Sequence, residues 1–208
     1  FVCDVLKDNV QQQLTQKEKS SLHTLDFTHE EDQIFEMMES NHPELTIQWY
    51  VELLEMVMEY TRFEIPGHEI VSSFEFSCFE RVKGERFYHH FSKALVNKLI
   101  DNFLKNITAS ETQGYLLRFC HNKFEAFVFI ALYVFTKFPE KYYNDIYSII
   151  VSRSVLSNAP CWIEYQALEA LKSSFQYMST EQQSEIVHKA ESLTDDGEKR
   201  IYDKELVR

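Results

Sequence analysis

Residues 123–152 read KFEAFVFIALYVFTKFPEKYYNDIYSIIVS, and the reading of this stretch decides the fold. Its first part, Phe124 to Phe138, is apolar nearly all round and is stopped by Pro139. The most apolar run, Ala126 to Phe135, lies between Glu125 and Lys137. It has about half of the ~20 residues that a bilayer span requires, so it reads as a helix buried in a protein core. The second part sets Tyr142, Tyr143, Ile146, Ile149, Ile150 and Val151 at helical spacing. A helix apolar on every side, followed by an amphipathic one, is a pair that must be covered by neighbours.

Outward from this pair, the same layout recurs. Residues 128–138 align with 167–177 at an offset of about 39: Ala131 falls on Ala170, Leu132 on Leu171 and Phe138 on Tyr177. After one inserted residue, Ile146 meets Ile186 and Ile150 meets Ala190. Long first helices are expected near residues 46, 86, 123 and 161, each followed by a shorter one. Between residues 43 and 62, Ile47, Tyr50, Val51, Leu54, Val57 and Met58 form one stripe, and Trp49, Leu53, Met56 and Tyr60 a second. A helix apolar on two sides is expected to lie between neighbours, with Pro43 in its first turn and Arg62 in its last. Over 66–83, Ile70, Val71, Phe74, Cys78, Phe79 and Val82 favour a helix over the short alternation Phe74, Phe76, Cys78. Phe87 to Ile107 predicts a long amphipathic helix, and Ser110 to Cys120 a short one capped by Ser110 or Thr112. The helix headed by Pro160 is expected to bury Trp162, Tyr165, Leu168, Leu171 and Phe175. Ser179 to Gln182 and Thr28 to Glu31 both have the form of a capping box.

In period and helix-pair layout, residues 46–193 resemble HEAT-like repeat proteins. That resemblance implies an all-α, right-handed α-α superhelix of stacked helix pairs, each burying its apolar face only against the next. It also implies a scaffold, adaptor or sensor arm that binds other proteins. An irregular all-α domain with fortuitous spacing is the structural alternative. The organisation expected is acidic N-terminal helices over 1–45, HEAT-like repeats over 46–193, and the start of a further helix over 194–208. The opening spacing of Phe1, Val5, Leu6, Val10 and Leu14, and that of Ile201, Tyr202 and Leu206, suggest a fragment of a larger helical array.

Composition agrees with an all-helical reading. The 208 residues include four Gly and four Pro, too few for turn-rich all-β or Gly-rich phosphate-binding folds. The net charge of -12 opposes a general binder of nucleic acid or anionic membrane. Charge is uneven: residues 1–80 hold 17 acids and 4 bases, and 81–125 hold 8 bases and 4 acids. Some HEAT-like proteins are DNA glycosylases with a basic concave surface, so a nucleic-acid-binding HEAT-like module is the functional alternative. A partner-binding basic patch is placed at Arg81, Lys83, Arg86, His90 and Lys93, on the same stretch.

Chemistry-bearing motifs are sparse. The sequence contains no GxxxxGK[ST], GxGxxG, HExxH or GxSxG. Cys3, Cys78, Cys120 and Cys161 form no CxxC pair, so no structural metal site is expected and buried free thiols are. His29-Glu30-Glu31-Asp32 falls where a helix N-terminus favours acids. His89 and His90, like Cys120 and His121, are helix neighbours that point about 100° apart. The eleven Phe and Tyr residues from Tyr115 to Tyr147 sit at core spacing. The expectation is therefore a non-catalytic, cofactor-free cytoplasmic protein. Its partner would be another protein or another domain of the same chain, and not a membrane.

Overall fold

The computed structural model describes residues 29–63, 70–73, 91–153, 155 and 161–192, with the single helical positions Asp8 and Gln12. The described residues are helical apart from a two-residue ladder and include eight α-helices. They divide into two units. The first holds residues up to 63 and 72–105; the second holds 70–71 and those from 106 onward. The positions on either side of residue 45 fall in the same unit.

In the first unit, α1 (His29–Asn41), α2 (Pro43–Tyr60) and α3 (Phe91–Lys105) pack together. Pro43 stands in the first turn of α2, where its missing N–H costs nothing. Phe35 of α1 meets Tyr50 of α2 edge to face, with ring centroids 5.1 Å apart. Around this pair Met38, Leu53, Leu54, Val57, Leu95, Leu99 and Phe103 are buried. Glu39 closes the group by accepting 2.7 Å from the Tyr50 hydroxyl and pairing at 3.1 Å with Lys98 of α3. After α2, β1 (Arg62–Phe63) pairs antiparallel with β2 (Ser72–Ser73).

In the second unit the order is α4 (Ser110–Cys120), α5 (Glu125–Lys137), α6 (Pro139–Ser152), α7 (Cys161–Ser174), a 3₁₀ turn (Phe175–Tyr177) and α8 (Thr180–Glu191). Ten of the thirteen residues of α5 are buried, because α4, α6 and α7 all pack on it. Pro139 both stops α5 and starts α6. Seven of the eleven aromatics from Tyr115 to Tyr147 are buried and the other four half-buried; Phe119 and Phe127 lie 4.7 Å apart, and Phe135 stacks on Tyr142 at 4.4 Å. The Ser179–Gln182 capping box is complete. The Gln182 amide donates to Ser179 Oγ at 3.3 Å, and the Ser179 amide donates to Gln182 Oε1 at 3.0 Å.

Five expectations need correction. Residues 70–73 are extended, not helical. The Val71 amide donates to the Lys123 carbonyl at 2.7 Å, and its carbonyl accepts 3.0 Å from the Glu125 amide at the head of α5. These long-range backbone pairs prevail over the periodicity because Val and Ser are weak helix formers. The rest of 66–83 lies outside the described residues. On α2, the second stripe is only partly covered: Leu53 is buried, Trp49 and Met56 are half-buried, and Tyr60 is exposed. Arg62 has left the helix and reaches back to Glu59 at 2.8 Å. The cap of α4 is Ala109, with no side-chain hydrogen bond; Ser110 is already helical and Thr112 is buried. On α7, Leu171 is buried as expected, together with Ile163, Gln166, Ala167, Ala170 and Ser174, while Leu168 and Phe175 are half-buried, Tyr165 faces solvent and the Trp162 side chain lies outside what is described. Small residues let α7 lie close against α5 and α6, and close approach prevails over side-chain size. Thr28, the expected cap of α1, lies outside the described residues.

Candidate functional site

Among the described residues of the second unit, Cys120 and His121 are neighbours at the end of α4. Cys120 sits in the last turn of α4, 4% exposed, and its Sγ donates to the Leu116 carbonyl at 3.1 Å. Burial, helped by the charge of Asp145, pushes its thiol up to about 12, so no useful thiolate forms near neutrality. His121 follows as the exposed C-cap residue. Burial also raises the Asp145 carboxyl, against a lowering contribution from its backbone contacts and from His121. His29 to Asp32 open α1. Among the described residues, no group of three or more His, Cys, Asp or Glu could hold a metal.

Of the expected basic patch, Arg81, Lys83, Arg86 and His90 lie outside the described residues, as does His89. Lys93 is 5% exposed, inside the first unit. Farther on, Lys98 is engaged by Glu39. Arg118 lies 4.3 Å over the Tyr115 ring and Lys123 4.6 Å over the Phe124 ring. These bases serve local contacts.

What the second unit does display is a row of helices in fixed register. Asn144 accepts from Gln182 at 2.9 Å, and the Tyr147 hydroxyl donates to Glu185; both pairs are 38 positions apart. The Lys189 ammonium donates to the carbonyls of Ile150 at 2.8 Å, Val151 at 2.7 Å and Arg153 at 3.1 Å. Partners that rise together along both helices make α6 and α8 parallel. The same holds one step earlier. Lys141 donates to the Ile107 carbonyl at 3.4 Å, and Arg153 Nη1 to the Cys120 carbonyl at 2.7 Å, 34 and 33 positions apart. Thus α4, α6 and α8 run side by side in one direction, with α5 and α7 between them in sequence. Two junctions share one device: a base near the end of the later helix caps the carbonyl end of the earlier one. Helix C-termini leave carbonyls without intrahelical donors and carry partial negative charge, so a cation placed there satisfies both needs.

The first unit offers a surface. On α2, Leu45 is 38% exposed and Tyr60 44%, with Trp49 and Met56 half-buried. At 100° per residue these four fall within about 60° of arc. Gln48, Glu52, Glu55 and Glu59 run alongside, with Glu55 and Glu59 exposed. Trp49 is held edge to face against His42 at 5.7 Å, and Gln48 donates to Glu52 at 2.8 Å.

Sequence reasoning missed Arg153 and Lys189. Their signal was present as a base at the end of alternate helices, 36 positions apart. It also took the α2 stripe for a buried seam, although its interleaved carboxylates pointed to water. No protein-family model matches the chain, and no curated protein or solved structure matches it.

Proposed function

We propose that this chain is a non-catalytic helical-repeat module, a right-handed solenoid of HEAT-like pairs, serving as scaffold, adaptor or sensor arm for protein–protein interaction. The observation that supports it is the parallel register of α4, α6 and α8, repeated at 33–34 and then at 36–39 positions. Stacked pairs of this kind bury their faces only against neighbours. Growth by stacking leaves helix faces open along the array, and such faces suit extended contact with another protein or another domain of the parent chain. Among the described residues, the Cys120 thiol is buried and hydrogen-bonded, and Arg153 and Lys189 donate to helix ends.

Capture on the immobilised chain, followed by cross-linking and mass spectrometry, tests this reading. The expected result is a protein partner that survives nuclease treatment, with cross-links on exposed helix faces. Retention of nucleic acid in place of protein, weakening steeply with salt, would overturn it in favour of a nucleic-acid-binding module. Turnover of a small substrate by the purified chain would overturn the non-catalytic assignment.

A further inference from the structure

We propose that Lys189 is the latch of a conformational relay: while α8 is seated, Lys189 fixes Arg153 and Arg153 seals the end of α4 over Cys120, so that displacing α8 opens Cys120 to solvent. This goes beyond the interaction-module reading and does not rest on it. Arg153 is the shared link. It follows the last turn of α6 with extended backbone, at φ -121° and ψ 156°, and is 9% exposed. Its carbonyl accepts from the Lys189 ammonium at 3.1 Å, while its own Nη1 donates to the Cys120 carbonyl at 2.7 Å. One residue thus receives a contact from α8 and passes one on to α4. The carbonyls of Ile150 and Val151, 2.8 and 2.7 Å from the same ammonium, tie that cation to the last turn of α6. Donors that carry full charge make stronger hydrogen bonds than neutral ones.

Of the elements joined by this chain of contacts, α8 is the one built to move. Of its twelve residues only Ile186 and Ala190 are buried, whereas α5 buries ten of thirteen. Its bonds to Asn144 and Tyr147 of α6 are exposed to water, where a hydrogen bond contributes little net stability. Segments with few buried apolar contacts open locally, below the free energy of global unfolding. When α8 leaves, Lys189 leaves with it, and the carbonyl of Arg153 loses that cation. On the far side of Arg153, the last turn of α4 is short-bonded: the His121 amide donates to the Arg118 carbonyl at 3.2 Å and the Asn122 amide to the Phe119 carbonyl at 3.1 Å. Three-residue bonds of this kind have poorer geometry than α-helical ones, so an end closed by them frays once its capping base loosens. Cys120, 4% exposed, lies in that turn.

The test uses the full chain and reads the rate at which iodoacetamide alkylates Cys120, with peptide mass spectrometry separating it from the other three cysteines. Lys189→Met keeps the aliphatic stem and removes the cation; it should speed labelling of Cys120 about tenfold or more. Arg153→Met should speed it too, and the double variant should be no faster than the faster single one, because both changes act through one residue. Hydrogen exchange gives a readout free of thiol chemistry: the amides of His121 and Asn122 should exchange faster in Lys189→Met than in the parent. Urea separates local opening from global unfolding, since only the latter exposes enough surface to respond strongly. Below the unfolding transition the added labelling should therefore be insensitive to urea. Circular-dichroism melts screen the variants, and Lys189→Gln or Arg153→Lys replaces one that fails to fold. Parental labelling in a folded Lys189→Met chain overturns the proposal. A double variant whose acceleration is the product of the two single ones overturns it as well, since the two contacts would then act independently. So does labelling that climbs with urea from the first addition, which would assign it to global unfolding. None of these results touches the interaction-module reading, which partner capture decides.

Discussion

Cys120 carries a measurable consequence of burial. Its thiol is raised from 9.0 to about 12, chiefly because the thiolate would be desolvated. The folded state therefore holds this proton more tightly than the unfolded state. The stabilisation is complete below pH 9 and is lost as pH rises from there toward about 12. In a native chain at pH 8, peptide mapping after iodoacetamide should find Cys120 unmodified, and denaturant should expose it; rapid native labelling would contradict its placement. Asp145 follows the same sign with the opposite practical result. Its pKa is raised above 3.8, mainly by partial burial, so its ionisation at neutral pH works against folding. Asp145→Asn should raise the melting temperature at pH 7. The gain should shrink as pH falls toward 3.8 and vanish below it, where both states are protonated. The burial of Cys120 was legible, because a lone Cys at core spacing is usually inside. The role of Asp145 was not, since only folding brings its charge near a residue 25 positions earlier.

Among the elements, α8 gives the sharpest test of local sequence rules. Ser179→Ala removes the cap and should cost about 1 kcal/mol in denaturant melts. Gln182→Ala should cost more than Ser179→Ala, because Gln182 both completes the box and donates to Asn144 of α6. Equal costs would mean that the cross-helix bond contributes nothing. This box and the Pro43 and Pro139 starts were legible because each signal lies within one helical turn. The face of α7 was not. Side-chain area ranks Tyr165 above Ala167 and Ala170, whereas packing against α5 and α6 rewards side chains that permit close approach. Ala170→Leu should accordingly destabilise by about 1–3 kcal/mol through overpacking, a cost that a solvent-facing site would not show. Residues 70–73 escaped for a related reason. The backbone partners of Val71 lie more than fifty positions away, beyond the reach of any periodicity.

At the scale of the whole molecule, the sequence suggested a recurrence of about 38 residues but did not show which side chains join α4, α6 and α8. Arg153 and Lys189 look like ordinary solvated bases until the carbonyl ends of α4 and α6 are brought beside them. Both contacts point backward along the chain, each later helix gripping the earlier one. The second unit is thus a set of one-way anchors, and under mechanical load its two ends are not equivalent. Tension applied on the C-terminal side should detach α7 and α8 first, since no later base holds α8 among the described residues. That step should release on the order of 100 Å of contour length from residues 161–192. In optical-tweezer traces with handles at the two ends of the unit, Lys189→Met should lower the force of this first rupture and leave later ones at their parental values. A single event without sub-steps, or equal softening of every step, would show that the anchors do not act link by link.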